Sequence, residues 1–452
     1  MTIMKYNPDE IQDLLKSGKI TIAVIGLGRI GLPTAVLFAN AGAKVIGVDV
    51  DEKKVEMVNN VQNYIDEPGL DELFEKVVKS KNLVATTDGV DAVKKAHVSI
   101  ICVPTPVIET KAPDYRWVIS ATETIAKGIQ KDAMVIIEST VAPGTLEELV
   151  IPIIEKKTGM KAGIDFGAAS CPERADPGTI ITKFDKIPRI VGGINEKSTQ
   201  IAKNLYSPIV NGKIVTVSNP KTANAVKLTE NIFRDVNIAL MNEFAVLYEK
   251  LGINAFEVIQ GASTKWNFLP HYPGAGVGGP CLPANSYYIV EKGFKVGFIP
   301  YIIRLAREVN DRMPHEVVRI TMEALNEAKK PLNGSKIAIL GITYKPGVKD
   351  TQISPAHIIV DELIARKVNL LIYDPLYKGE EFHGIKIENS IDDAIKDADA
   401  IVFITAHKEF KELSLESLAK KIKSPPVIVD GRGIFALTEK PSDIIYRGIG
   451  LP

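Results

Sequence analysis

Two stretches of this sequence carry residue types that do chemistry. Cys281 lies in Gly276-Val-Gly-Gly-Pro-Cys281-Leu-Pro283, far downstream of Gly26-Leu-Gly-Arg-Ile-Gly31. The glycine spacing suits a dinucleotide. The first glycine makes the tight turn, the second lets backbone approach a pyrophosphate, and the third packs helix on strand. The phosphates then face a helix amino terminus. Asp49, ending Val45-Ile-Gly-Val-Asp49, is placed for the ribose hydroxyls and repels a 2′-phosphate, which favours NAD over NADP. Asp51 competes with it for that role. A cofactor that accepts hydride and a thiol that can hold an acyl group are the parts needed to oxidise an alcohol past the aldehyde to an acid.

Other residues join these two. Lys227 and Asn231 are four apart in Ala225-Val-Lys-Leu-Thr-Glu-Asn231 and share a helix face. Helix Lys and Asn residues of this kind more often form a solvated surface. Glu138-Ser-Thr140 and Glu173 each follow a strand-like run, where the loops of an open α/β sheet form a ligand crevice. Cys102 and Cys171 read as small apolar packing residues. Glycines at 274, 276, 278 and 279 let backbone pass close to a ligand near Cys281.

The elements that must position them alternate. Residues 7–17 read as a leading helix with Asn7 as its cap. Strand-like runs follow at 19–25, 44–49, 98–103, 133–137, 166–170 and 187–192, with helical stretches between. That alternation argues for a doubly wound parallel sheet. From Pro220 to Leu251 the helical spacing runs without Gly or Pro, a spine of roughly 45 Å. A second helical stretch covers 299–328, with a break or kink expected at Pro314. After a linker-like Pro331-Leu-Asn-Gly334, strand patterns return at 336–341, 370–374, 400–405 and 427–430. The fold class is therefore two Rossmann-like doubly wound parallel-sheet domains joined by a helical middle domain. The expected limits are 1–216, 217–331 and 332–452.

Composition narrows the function classes. The 452 residues exceed one hydrophobic core, and 55 basic residues balance 55 acidic ones. That balance removes a broad electrostatic case for nucleic acid or membrane surfaces. No signal pattern or long apolar run appears, and the three cysteines have no metal-ligand spacing, so no metal is expected. A reducing cytoplasm suits a reactive thiol.

Glu138-Ser-Thr-Val-Ala-Pro-Gly144, Cys171-Pro-Glu-Arg174, Lys227-Leu-Thr-Glu-Asn231, Gly278-Gly-Pro-Cys281, Gly341-Ile-Thr-Tyr-Lys-Pro346 and Asp430-Gly-Arg432 follow the glycine loop in order. In this order they resemble the UDP-glucose/GDP-mannose dehydrogenase family over nearly the whole chain. The resemblance implies an amino-terminal NAD domain, a helical domain that often dimerises, and a carboxy-terminal domain for the nucleotide sugar. It implies two NAD-dependent oxidations of the sugar C6 through a thiohemiacetal and thioester on Cys281. Lys227 would stabilise the oxyanion and Asn231 orient it, with Thr140 and Glu173 holding water. Gly26, Gly28, Arg29, Ile30, Gly31, Asp49, Lys54, Pro104, Thr105 and Thr140 are expected at NAD. Beyond Glu173, Lys227 and Asn231, the sugar nucleotide is expected at Arg174, Lys265, Phe268, Tyr272, Gly276, Gly278, Lys345 and Arg432.

Two positions depart from the family pattern. Asn285 stands where Asp is usual, and Asn holds water by hydrogen bonds but takes no proton from it. Gln352 stands where relatives often have Arg. Cys171-Pro-Glu-Arg174 with Asp176-Pro-Gly178 is more like the N-acetylhexosamine branch than the glucose branch, and leans to UDP-N-acetylglucosamine over UDP-N-acetylmannosamine. The competing readings are UDP-glucose or GDP-mannose oxidation, a two-electron β-hydroxyacid-type dehydrogenase, and a non-catalytic nucleotide-sugar binder.

Overall fold

Short, uncharged, β-branched runs suit strands covered on both faces of a parallel sheet. A computed structural model describes residues 3–175, 178, 180–183, 186–210 and 214–452 of the chain. Asp176 and Pro177 of the branch motif lie outside the described residues. The chain forms two compact units, Met1–Glu230 with Tyr287–Gly297, and Asn231–Ser286 with Phe298–Pro452.

In the first unit the strands are Thr21–Ile25 (β1), Lys44–Val48 (β2), Leu83–Thr86 (β3), Val98–Ile101 (β4), Met134–Ile137 (β5), Gly167–Ser170 (β6), Arg189–Gly193 (β7) and Ile214–Thr216 (β8). They form an eight-stranded sheet in the order β3-β2-β1-β4-β5-β6-β7-β8. Each pairing is parallel except that of β6 with β7. The order reverses between β1 and β4, so the loops leaving those strands diverge and open a crevice. Alternate residues feed two cores. Ile22, Val24, Val45 and Ile100 pack with Phe38 and Phe74 on one face. Ala23, Ile25, Ile101 and Val135 pack with Val118 and Ile125 on the other. β3 and β8, of 4 and 3 residues, escaped the sequence pattern because runs so short show no clear period. Asn7 and Glu10 make a reciprocal capping box ahead of the helix Ile11–Lys16.

In the second unit the strands are Lys336–Leu340 (β9), Asn369–Tyr373 (β10), the hairpin Glu381–Phe382 (β11) and Ile385–Lys386 (β12), then Ala400–Phe403 (β13), Val427–Asp430 (β14) and Ile445–Gly448 (β15). The main sheet runs β10-β9-β13-β14-β15, all parallel. It repeats the turn chemistry of the first sheet with a different outcome. Asp374, after β10, accepts Ile342 N–H at 2.8 Å and is closed off by His407 Nε2 at 3.1 Å. It is fully buried, so its oxygens serve the fold rather than a ribose.

The spine helix covers Pro220–Lys250, 31 residues. The helix Tyr301–Glu327 runs through Pro314, so of the expected break or kink there is no break. Proline removes a single i→i−4 bond, and its buried ring packs against Gly276. Within the second unit, Arg307 pairs with Asp235 at 2.6 Å, and both side chains are almost wholly buried. Asn310 and Ser286 also donate to the Asp235 carboxylate. Arg307→Ala leaves that carboxylate buried without its cation, and is expected to cost about 3–5 kcal/mol of stability. Denaturant unfolding at pH 7 measures this. A loss under about 1 kcal/mol would remove the pair from the account of what holds these helices together.

Candidate active site

The first unit holds a crevice at the carboxyl ends of β1, β2 and β4, with a volume of about 400 Å³. Gly26, Gly28, Asp49, Lys54, Val103 and Pro104 are among its walls. Gly26 has φ +97°, and a Cβ there would lie 2.7 Å from the Cys102 carbonyl oxygen. A Cβ on Gly31 would lie 1.8 Å from the Gly26 carbonyl oxygen, so strand and helix meet only because it is glycine. Nothing lies within 4 Å of a Cβ on Gly28, which leaves room for a phosphate. Arg29 is exposed and Ile30 half-buried at this turn, just ahead of the helix Gly31–Asn40. Asp49 accepts the Leu27 N–H at 2.8 Å and the Asp51 N–H at 3.0 Å, with Lys54 Nζ 3.8 Å away. Asp51 caps the next helix by accepting the Lys53 N–H. The open glycine turn, the helix start and the acid at the second strand end fit a dinucleotide with an unmodified ribose.

Sequence reasoning missed several supports of this crevice. Tyr64 Oη donates to the Leu27 carbonyl at 2.7 Å and braces the glycine turn. Burial first, then Asp49 and Asp51, pushes its hydroxyl well up, so it stays a donor. Thr87, Gly89, Trp117, Ser120 and Thr124 close the far side. They sit beyond β3 and on the helix Arg116–Gly128, where no local motif marks them. Asp49→Asn keeps an acceptor for Leu27 but loses the charge. The KM for NAD is expected to rise roughly tenfold while discrimination against NADP narrows. Steady-state kinetics with both cofactors decides, and an unchanged KM would take Asp49 out of the ribose site.

Beyond β5 and β6 the same unit gathers acids around one cation. Glu173 accepts N–H bonds from Arg174 and Ala175, each at 2.6 Å, and pairs with Arg189. Desolvation pushes the Glu173 carboxyl up, but Arg189, those two N–H groups and Lys227 outweigh it and hold it below the usual range. Lys227 is buried in this neighbourhood. Arg174 is engaged elsewhere, with Glu230 at 2.6 Å and the Pro188 carbonyl. Thr140 is half-buried, and its carbonyl accepts Thr105 Oγ1 at 2.8 Å. The Thr105 carbonyl in turn accepts Tyr288 Oη.

The second unit presents the thiol. Cys281 is exposed, whereas Cys102 and Cys171 are buried, and all three are outside disulfides. Cys281 directly precedes the helix Leu282–Lys295, whose amino-terminal dipole favours negative charge on Sγ. One turn on, Asn285 N–H donates to the Cys281 carbonyl at 3.0 Å. Asn285 Oδ1 accepts from Asn231 Nδ2 at 2.6 Å, and both residues are buried. An oxygen at position 285 is all this bond requires, and asparagine supplies it as aspartate would.

The glycines before Cys281 approach protein. A Cβ on Gly276 would meet Pro314 and Pro355 at 3.2 Å, and one on Gly278 would lie 2.4 Å from the Ile353 carbonyl oxygen. Gly279 N–H donates to the Gln352 carbonyl at 2.9 Å, so Gln352 supports the loop through its backbone. Arg432 lies against Gly274 and donates to the Ile404 carbonyl at 2.8 Å. Desolvation pulls its guanidinium down to about 10, which leaves it charged at neutral pH, and no carboxylate pairs with it among the described residues. Lys345 is half-buried and Lys265 exposed. Tyr272 is exposed and stacks on Phe256, and Phe268 lines an apolar cavity of about 180 Å³ with Met241, Phe244 and Tyr248. Among the described residues, no group of three or more His, Cys, Asp or Glu side chains is arranged to hold a metal ion. Among them also, no helix is long and apolar enough to cross a membrane.

Known proteins with this arrangement can be compared along the chain. Residues 20–210 match the NAD binding domain of the UDP-glucose/GDP-mannose dehydrogenase family, 221–312 its central domain and 338–437 its UDP binding domain. The UDP-N-acetyl-D-mannosamine dehydrogenase of Pyrococcus horikoshii is 40% identical over 429 residues, 95% of this chain and 99% of that protein. The UDP-N-acetyl-D-glucosamine 6-dehydrogenase of Pseudomonas aeruginosa is 32% identical over 429 residues, 94% of this chain and 99% of that protein. The solved Pyrococcus horikoshii UDP-D-ManNAc dehydrogenase superposes with a TM-score of 0.88 at 39% identity, covering 95% of this chain and 99% of that one.

Proposed function

Since this chain belongs to the UDP-glucose/GDP-mannose dehydrogenase family and is an NAD-dependent oxidoreductase, we propose that it oxidises the C6 alcohol of a UDP-N-acetylhexosamine to the uronic acid. The observation that carries this reading is an exposed thiol at a helix amino terminus in a chain with an acid-lined NAD crevice. A simple two-electron dehydrogenase needs no such thiol. Relatives named for the mannosamine epimer, at 40% identity against 32% for the glucosamine one, support UDP-N-acetyl-D-mannosamine as the first substrate to test. We assign NAD to residues 1–216 and the UDP-sugar to 332–452, with the helical region 217–331 between them.

NAD, when bound, accepts the hydride of each oxidation. In this reading the Cys281 thiolate adds to the C6 aldehyde, and the new C–S bond becomes a thioester when the second hydride leaves. Lys227 stabilises the oxygen anion formed at each addition. Asn231, fixed by Asn285, orients that oxygen. Thr140 and Glu173 hold the water that attacks the thioester, Glu173 takes its proton, and the Cys281 thiolate leaves. Arg432, desolvated and without an acid partner among the described residues, and Lys345 suit the diphosphate.

The partner we propose is a second copy of the chain. Phe233, Leu240 and Leu247 recur every seventh residue on the spine helix and are 49%, 45% and 48% exposed, an apolar stripe that a symmetric helix pairing would cover. A monomeric mass by light scattering would rule this out. The reaction is tested by NADH yield from limiting UDP-N-acetylmannosamine, UDP-N-acetylglucosamine and UDP-glucose. About two NADH per sugar supports the four-electron reaction. One would indicate simple dehydrogenation, and none with any sugar nucleotide a binder.

A further inference from the structure

Glu138 has no part in the chemistry above, yet it is buried beside Glu173 and shares its cation. The sheet explains how. β6 and β7 are antiparallel, with Ser170 opposite Gly192 and Ala169 opposite Gly193. The same register carried three residues past Ser170 sets Glu173 opposite Arg189. Glu138 directly follows β5 on the other side, and the Glu173 N–H donates to its carbonyl at 3.2 Å. The Arg189 guanidinium, fully buried, lies 3.0 Å from Glu138 Oε1 and is paired with Glu173 Oε2.

From this geometry we infer that Glu138 is a positioning residue, which controls through Arg189 how strongly Glu173 can act as a base. One cation serves two buried carboxyls, and it compensates only one of them fully. While Glu138 holds a proton, Arg189 belongs to Glu173 and weakens it as a base. When Glu138 ionises, the cation is divided and Glu173 becomes more basic.

Several titratable and polar groups among the described residues face the pair. Thr34 Oγ1 at 3.4 Å, Tyr206 Oη at 3.3 Å and Cys102 Sγ at 3.5 Å surround Glu138. Cys171 lies by Arg189, and Lys227 acts on Glu173. Burial pushes Cys102, Cys171 and Tyr206 well up, so they stay neutral. Arg189 is desolvated, but Glu173 and Glu138 hold it protonated. Burial, against the pull of Arg189, pushes Glu138 up to about 7. It is therefore the member of the set that titrates near neutral pH.

The inference rests on the reading of Glu173 as the group that handles water. Full-length wild type, Glu138→Gln, Glu138→Asp and Glu173→Gln are compared from pH 5.5 to 8.5, with NADH yield per sugar and the rate of uronic acid release. Wild-type release is expected to rise about tenfold between pH 6 and 8, following ionisation of one group near 7. In Glu138→Gln the rise should shrink to within about twofold, and Glu138→Asp should restore it at a shifted midpoint.

Stability supplies a second readout. The folded state holds a proton on Glu138 that the unfolded chain releases from its ordinary value of 4.5 upward. That contribution is complete below 4.5 and is lost as pH rises to about 7, and Glu138→Gln should remove this fall from the Tm profile. If Glu138→Gln does not fold, the shifted midpoint in Glu138→Asp still decides. If Glu173→Gln stops acid release while Glu138→Gln keeps the full wild-type rise, the inference is overturned and the reading of Glu173 stands. If Glu173→Gln releases acid normally, that reading fails and the inference with it.

Discussion

Cys281→Ala is expected to lower uronic acid formation by at least about 10³-fold, while binding of NAD and of the sugar nucleotide stays within a few-fold of wild type. The thiol has no side-chain role in a buried core, since Cys281 is exposed, and alanine is compatible with the residue before a helix. Loss of activity therefore reports chemistry rather than folding. Without sulfur, no covalent adduct holds the aldehyde carbon for the second hydride transfer, and the reaction stalls after the first. Product analysis should find NADH falling from about two per sugar towards one or less, with no acid. Cys281→Ser keeps a hydroxyl of much lower nucleophilicity and should also lose turnover. Two NADH per sugar from Cys281→Ala at the wild-type rate would sink the covalent mechanism and return the chain to a simpler dehydrogenase.

Lys227→Met should cost about 10²–10³-fold in kcat, or roughly 3–4 kcal/mol of transition-state stabilisation, with the sugar KM little changed. Methionine keeps most of the buried volume and removes the charge. Lys227 is also one of the groups holding the Glu173 carboxyl below its usual range. Removing it should therefore move upward the acid limb that Glu173 itself sets, which lies below the rise near pH 7 that follows Glu138, because Glu173 then takes up its proton at higher pH. A raised KM with unchanged kcat would instead make Lys227 a ground-state binder. An unmoved acid limb would separate it from Glu173.

Much of the fold was readable because its signals are local. An apolar run such as Thr21–Ile25 followed by glycines declares a buried strand and a tight turn within a dozen residues. The 31-residue helix Pro220–Lys250 repeats its period often enough to be unmistakable. β3, β8 and β15 are three or four residues long and become strands through their neighbours' hydrogen bonds. Pro314, marked as a break or kink, lies within a continuous helix, because the packing that accommodates it is not visible in local sequence.

The site divides in the same way. Gly26, Gly28, Gly31 and Asp49 sit in one strand–turn–helix–strand stretch, so residue type and spacing alone pointed to a dinucleotide turn with an acid at the second strand end. Two facts were decided only in three dimensions. Asn285 meets Asn231 across 54 residues, its side-chain oxygen accepting the Asn231 amide N–H. Glu138, Glu173 and Arg189 come from three separate strand ends and share one charge because β7 runs antiparallel to β6. Neither strand direction nor register is written in the local pattern of β7, and burial, which sets the protonation of these groups, belongs to the packed sheet as a whole.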